Sequence, residues 1–318
     1  MNCRYLIWLE WPEACFRADA VVLAWLAGRV LGEVVRARDE AEFLRELPMA
    51  THVATWRFDS GWFALAPRLR VLATPAAGRE FVPSAGPAGV RIHFGGFHGR
   101  IIAETVAAFM SAWVRGFFLC GAIRRGARVP GLADGESAWP RTFLSDKCRG
   151  LAGTRALIAG YGRIGRAIGE RLAGMGVSVE GFTRRNVADL PRAAADADWL
   201  VMALPSDTGT DGFLSAELIA CLPPRAVVVN VGRGNAVDEA ALLAALRSGR
   251  LAGAYLDVFR GETNMRRGGE GSGEAAGMIL STPPGELPWN LVAMPHSAAF
   301  SPEYVTDFFK ELIDEGLF

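Results

Sequence analysis

The chain has 318 residues, 34 basic and 34 acidic side chains with zero formal net charge, and 51% hydrophobic residues. The length suggests about two domains, and the apolar content excludes wholesale disorder. Neutral charge argues against a general nucleic-acid binder, which needs a basic surplus to neutralise phosphates.

In chain order, the first apolar run, Leu6–Leu9, is too short for a signal peptide and meets Glu10. Strands are predicted at Tyr5–Leu9, Gly32–Ala37, His52–Thr55, Leu69–Thr74 and Val90–Phe94, with helical segments between several of them. Such alternation argues for an α/β domain with a mostly parallel sheet. The run Ala18–Val35 carries Asp19, Arg29 and Glu33, too charged to span a bilayer, and reads as a buried helix plus a strand. A single long helix is predicted over Ile101–Ile123, buried and connecting, with packing against a second subunit as the bolder reading. Val129–Trp139 reads as a loop.

A second alternating block follows. Its strands are predicted at Thr154–Ala159, Val177–Phe182, Trp199–Leu204, Ala226–Val231, Gly253–Asp257 and Leu291–Met294. Helices are predicted at Ile164–Met175, Ser215–Cys221 and Glu239–Ser248. Six strands with interleaved helices is the count of a dinucleotide-binding domain. Gly261–Gly285 is glycine-rich and contains Arg266-Arg267; it reads as a passive or disordered insertion, with a functional loop as the alternative. Five scattered cysteines (Cys3, Cys15, Cys120, Cys148, Cys221) form no C-x-x-C. They point away from a disulfide framework or a metal site and towards a reducing compartment; with no signal-peptide pattern and no uncharged run of membrane length, a cytoplasmic protein with no membrane partner is expected.

Gly160-Tyr161-Gly162-Arg163-Ile164-Gly165 is G-x-G-x-x-G after an apolar strand and at the opening of a helix, the context that motif requires. Gly160 permits the tight turn, Gly162 lets the backbone approach a pyrophosphate, and Gly165 lets the helix pack close to the strand. The helix N-terminus, with Arg163 and Ile164, offers N–H groups to the phosphates. The next strand ends without an acid and continues Thr183-Arg184-Arg185. Arginines there favour a 2′-phosphate, so NADP is preferred and NAD remains possible. Only Lys147 and Lys310 are lysines, so arginine pairs are common in this chain. Glu180, within the strand, is the alternative ribose-reading acid.

Ligands in open α/β sheets bind outside the carboxyl ends of strands, and three such ends carry Arg233, Glu262 and His296. Hydride transfer to a ketone builds charge on its oxygen, and a protonated histidine supplies the proton in the same step. A nearby carboxylate favours the imidazolium, and the planar arginine fork clamps a carboxylate or carbonyl. Each residue also has a plain reading: a helix-flanking surface arginine, a solvated loop acid, a strand-capping histidine.

Together these segments resemble the D-isomer-specific 2-hydroxyacid dehydrogenases, a family that includes glyoxylate/hydroxypyruvate reductases. The resemblance runs from about Leu151 to His296. It covers the glycine fingerprint, Leu204-Pro-Ser-Asp-Thr-Gly-Thr210, Asn230-Val-Gly-Arg-Gly, Leu256-Asp-Val-Phe and Pro295-His296, and reaches more weakly to Ala76-Ala77-Gly78 and Ala103-Glu104. It implies two Rossmann-like domains, a doubly wound NAD(P)-binding domain (100–296) inserted into a flavodoxin-like substrate domain (1–99 plus 297–318). It implies that His296 is the acid/base, Glu262 its partner and Arg233 the substrate-binding arginine. Ala76, Ala77 and Gly78 would receive the substrate carboxylate. Leu204, Pro205, Val231, Thr208 or Thr210, and Asp257 would line the cofactor. The implied substrate is a small 2-oxo acid, and the implied assembly a homodimer. Two departures stand out: Thr263 follows Glu262 where the family has proline, and the glycine-rich insertion comes next. His93 and His98 are read as surface-loop residues, with substrate contact as the alternative. A nucleotide-sensing protein without turnover is the rival function.

Overall fold

The computed structural model describes residues 3–132, 140–262 and 276–318. The chain divides into two compact units, one formed by Met1–His98 with Ala299–Phe318, the other by Gly99–Ala298.

The first unit carries β1 (Cys3–Trp8), α1 (Ala20–Ala27), β2 (Gly32–Arg36), α2 (Glu40–Glu46), β3 (His52–Thr55), β4 (Val71–Thr74), β5 (Arg91–Phe94) and the C-terminal helix Tyr304–Asp314. All strand pairs are parallel, in the order β2-β1-β3-β4-β5. That is the flavodoxin-like order. β3 and β4 are buried at every position, as strands covered on both faces must be. One face packs on Phe308, Phe309 and Leu312 of the C-terminal helix; the other packs on Phe43 and Leu47. Asp19 and Asp39 cap α1 and α2 by accepting from the N–H groups of Val22 and Glu42.

The second unit carries α3 (His98–Val114), α4 (Phe117–Arg124), α5 (Arg141–Ser145), β6 (Arg155–Ala159), α6 (Arg163–Ala173), β7 (Ser178–Phe182), α7 (Leu190–Ala194), β8 (Trp199–Met202), α8 (Ala216–Cys221), β9 (Val227–Asn230), α9 (Glu239–Arg247), β10 (Gly253–Leu256) and β11 (Leu291–Ala293). Its sheet is also all parallel, ordered β11-β10-β9-β8-β6-β7. The chain therefore changes direction of winding at β6, between β7 and β8. The carboxyl ends of β6 and β8 flank the crevice where such sheets bind ligands.

Three expectations are corrected. The helix over Ile101–Ile123 is two helices, α3 and α4, bent by 63°. Gly116 between them adopts φ 73°, where a side chain would also crowd Cys148 Sγ at 3.1 Å. Ala18–Val35 is indeed helix plus strand, but Leu26 is the one buried residue of α1, and Val21 is 76% exposed. The strand predicted from Leu69 begins at Val71, because the Leu69 N–H closes a turn onto the Ala66 carbonyl. Residues 133–139 of the predicted loop and 263–275 of the glycine-rich stretch, Arg266-Arg267 included, lie outside the described residues. No single helix among the described residues is long and apolar enough to cross a membrane; α3 and α4 reach that threshold only as a bent pair.

Candidate active site

The glycine fingerprint sits between β6 and α6, and each glycine has a separate reason to be there. Gly160 adopts φ 92°, and a Cβ on it would lie 2.5 Å from the Ala203 carbonyl oxygen. A Cβ on Gly165 would overlap the carbonyl of Gly160. A Cβ on Gly162 would meet nothing within 4 Å. Its φ of −86° suits any residue, and no side chain caps α6. Gly162 thus opens a cradle beside an uncapped helix N-terminus carrying Arg163 and Ile164, which fits a dinucleotide pyrophosphate. Tyr161 lies across Gly181 of β7, where a Cβ would overlap its ring. Gly181 is a contact that sequence reasoning passed over, since its meaning depends on the neighbouring strand.

Beyond β7, Asn186 organises the turn. Its Oδ1 accepts from the N–H of Thr183 at 2.7 Å and from the Thr183 hydroxyl at 3.1 Å, and its amide donates to the Gly181 carbonyl. Arg184 and Arg185 are thereby presented at the strand end. Arg184 Nη2 pairs with Asp207 Oδ2 at 2.6 Å. Glu180, the alternative ribose acid, is committed to Arg155 at 2.6 Å, at the start of β6 and away from the carboxyl edge. The turn after β8 contains Leu204, Pro205 and Thr210. The Thr210 hydroxyl donates to the Pro205 carbonyl at 2.7 Å and accepts from the N–H of Asp207 at 3.0 Å. Thr210 braces that turn, and its hydroxyl is already used there. Thr208 lies in the same turn. Gly232 allows the next loop to approach it: a Cβ would lie 2.5 Å from the Leu204 nitrogen.

β9, β10 and β11 are neighbours in the sheet. Their carboxyl ends deliver Val231 and Arg233, Asp257, and His296 respectively. Adjacent strands are ~4.8 Å apart, so the three ends share one edge. The buried Asn230 side chain fixes the first loop, accepting from the Gly232 N–H at 3.0 Å and donating to the Arg233 carbonyl at 3.0 Å. Nothing in the Asn230-Val-Gly-Arg-Gly sequence pattern by itself assigns Asn230 this role.

His296 is the one non-glycine residue with positive φ among the described residues, at 53°. That conformation is costly for a side-chain-bearing residue. Asp257 secures the backbone just after it, with Oδ1 accepting from Ser297 N–H at 2.9 Å and Oδ2 from Ala298 N–H at 3.1 Å. Burial pushes the Asp257 carboxyl above its ordinary value, against the pull of those two N–H groups and of His296. The His296 ring faces Glu262: Nδ1 to Oε1 is 2.6 Å. The other carboxylate oxygen of Glu262 accepts from the Phe259 N–H at 3.0 Å. With Nδ1 facing a carboxylate, Nε2 is the nitrogen left for a ligand.

In the first unit, Ala76, Ala77 and Gly78 follow the carboxyl end of β4. A Cβ on Gly95 would overlap the Pro75 carbonyl, so the loop after β5 packs closely under this turn. The surface reading of His93 and His98 is overturned. Both are buried, with His93 between Glu311 (2.9 Å) and Glu315 (3.2 Å) and His98 Nε2 3.0 Å from the Tyr304 hydroxyl.

A family model described as "D-isomer specific 2-hydroxyacid dehydrogenase, NAD binding domain" matches residues 130–298. The chain belongs to this family of 2-hydroxyacid dehydrogenases. Glyoxylate/hydroxypyruvate reductase B of Pectobacterium carotovorum is 31% identical over 256 residues, 76% of this chain and 72% of its own. Glyoxylate reductase of Thermococcus kodakarensis is 30% identical, over 69% of this chain and 68% of its own. The same fold occurs in a D-isomer specific 2-hydroxyacid dehydrogenase from Xanthobacter autotrophicus solved with NADPH and MES. The match has a TM-score of 0.71 and 24% identity, and covers 98% of this chain and 94% of that one. As a family member the protein is an NAD(P)-dependent oxidoreductase, and residues 130–298 are matched by the family's NAD-binding domain.

Proposed function

We propose that the protein reduces a small 2-oxo acid of the glyoxylate or hydroxypyruvate kind to the D-2-hydroxy acid, with NADPH preferred over NADH. The observation that carries this reading is the His296–Glu262 pair, 2.6 Å apart, at the sheet edge where the cofactor cradle opens. The cofactor, when bound, supplies the hydride. Gly160, Gly162, Arg163, Ile164 and Gly165 hold its pyrophosphate. Leu204, Pro205, Val231 and Asp257 line its site, together with the turn that Thr210 closes. Thr183, Arg184 and Arg185 receive the 2′-phosphate, since no acid stands at the end of β7 to repel it.

In the reductive direction, Nε2 of His296 gives its proton to the carbonyl oxygen as charge develops there. Glu262 fixes the ring's orientation and stabilises the imidazolium. Arg233 clamps the substrate's carboxylate or carbonyl. The backbone of Ala77 and Gly78, with Ala76 anchored on Thr74, offers N–H groups to the substrate carboxylate, which makes 1–98 with 299–318 the substrate-side unit. In the oxidative direction neutral His296 takes the hydroxyl proton. We place the homodimer contact on α4, where Phe117 is 70% exposed; a monomer in sedimentation at micromolar concentration contradicts it. Five free cysteines fit a reducing, cytoplasmic setting.

The test is loss of reduced-nicotinamide absorbance with purified protein, NADPH and NADH in parallel, against a panel of 2-oxo acids. Turnover of a short-chain 2-oxo acid, faster with NADPH, supports the reading. Cofactor binding without turnover of any member of the panel favours the sensing protein.

A further inference from the structure

We propose that a cleft at the amino edge of the six-stranded sheet is a second ligand site, for a small planar aromatic acid. The cleft has a volume of about 370 Å³, inside the ~300–1,000 Å³ span of small-molecule sites. Two indoles, Trp113 and Trp289, give it aromatic walls, and three cations, Lys147, Arg149 and Arg225, line it. Arg225 and Trp289 come just before β9 and β11. The cleft therefore lies at the end of the sheet opposite Gly160, Arg233 and His296, and a ligand in it leaves the proposed active site open. The inference does not depend on which residues perform the chemistry.

The walls are set in advance. A Cβ on Gly253 would overlap the Trp113 ring, so glycine at the start of β10 is what lets that indole lie against the sheet. Phe109 and Phe118 hold its other sides, with ring centroids 5.7 and 6.2 Å away. Trp289 precedes the buried Asn290, whose amide donates to the Leu246 and Ala252 carbonyls. The segment carrying Lys147 and Arg149 is tied down by the Arg149 N–H, which donates to the Val114 carbonyl at 2.9 Å.

The charge is set in advance too. Asp198, at the start of β8, accepts from Arg149 Nη1 and Arg225 Nε, each at 3.0 Å, and from the Arg155 N–H at 2.9 Å. Burial opposes its charge, but these three donors outweigh burial and keep the carboxyl below its ordinary value. One carboxylate thus orients two guanidiniums, while three cations line the space. The surplus positive charge suits one incoming carboxylate, and the arginine fork suits its shape. Indole walls suit a flat ring attached to it.

The experiment is isothermal titration calorimetry of the full chain with indole-3-carboxylate, with and without saturating nicotinamide cofactor. Indole-3-carboxamide is the uncharged control. Arg225→Glu and Lys147→Glu reverse charge on exposed side chains, and unchanged cofactor affinity in each shows an intact fold. The expected result is saturable binding of the acid, unaffected by cofactor, with at least 10-fold weaker binding of the amide and in each variant. Absence of heat with the wild-type protein, as when a second copy closes the cleft, overturns the proposal. Equal binding of the amide, or binding that survives both charge reversals, overturns it as well.

Discussion

Glu262 is held at both of its oxygens: one faces Nδ1 of His296 at 2.6 Å, and the other accepts the Phe259 N–H at 3.0 Å. A carboxylate fixed this way orients the imidazole. Glu262→Gln keeps the shape and loses the charge, so reductive turnover falls by about 100-fold while cofactor affinity stays within twofold. Steady-state kinetics with a cofactor titration separates the two. A loss of cofactor binding in step with turnover assigns Glu262 to the cofactor site.

The glycine cradle gives a paired prediction. Gly162→Ala leaves the melting temperature unchanged, because its Cβ meets nothing within 4 Å, and weakens cofactor binding by roughly 10-fold or more, about 1.4 kcal/mol. Gly165→Ala acts on folding, because its Cβ overlaps Gly160, at a cost of about 1–3 kcal/mol. Thermal unfolding with and without cofactor distinguishes them.

Arg184 and Asp207, 2.6 Å apart, are predicted to act on cofactor choice in opposite senses. Arg184→Ala removes a charge-assisted contact to the 2′-phosphate and lowers the NADPH/NADH ratio of kcat/KM by about 10-fold. Asp207→Asn frees Arg184 and raises that ratio. Two unchanged ratios remove the arginines from phosphate recognition.

His52 predicts an acid sensitivity. Burial, with Arg70 and Arg91 nearby, lowers its pKa from 6.5 to about 4. The unfolded chain therefore binds a proton that the folded chain refuses between those values. Stability is present above pH 6.5 and is lost as pH falls towards 4, by at most about 3 kcal/mol. The carboxyls of Asp198 and Glu311, held below their ordinary values, lose their contribution at still lower pH. Denaturant midpoints of His52→Gln should stay flatter than wild type from pH 6.5 to 4. Parallel slopes contradict this.

Much of the scaffold was legible because it rests on local patterns. Short apolar runs marked the eleven strands found among the described residues, and G-x-G-x-x-G between strand and helix marked the cradle. What was missed depends on neighbours far along the chain. The break at Gly116 comes from its packing on Cys148 and Leu144, which leaves no mark on the periodicity of α3 and α4. The burial of His93 follows from Glu311, more than two hundred residues away. Asn230, Asp257 and Asn186 hold loop backbones in place, and such roles show only when the loop's N–H groups are traced. The 2.6 Å approach of Glu262 to His296 was suggested by family resemblance; spacing alone left a solvated loop acid open.

His296 is proposed to supply the proton that accompanies hydride transfer, and the variant His296→Gln puts that role to the test. Glutamine keeps a polar group of similar reach and has no transferable proton. Single-turnover absorbance measurements, with cofactor affinity determined on the same sample, are predicted to show reduction slowed by at least about 100-fold and cofactor binding nearly unchanged. Reduction at near wild-type rate, with cofactor bound, removes His296 from the role of proton donor.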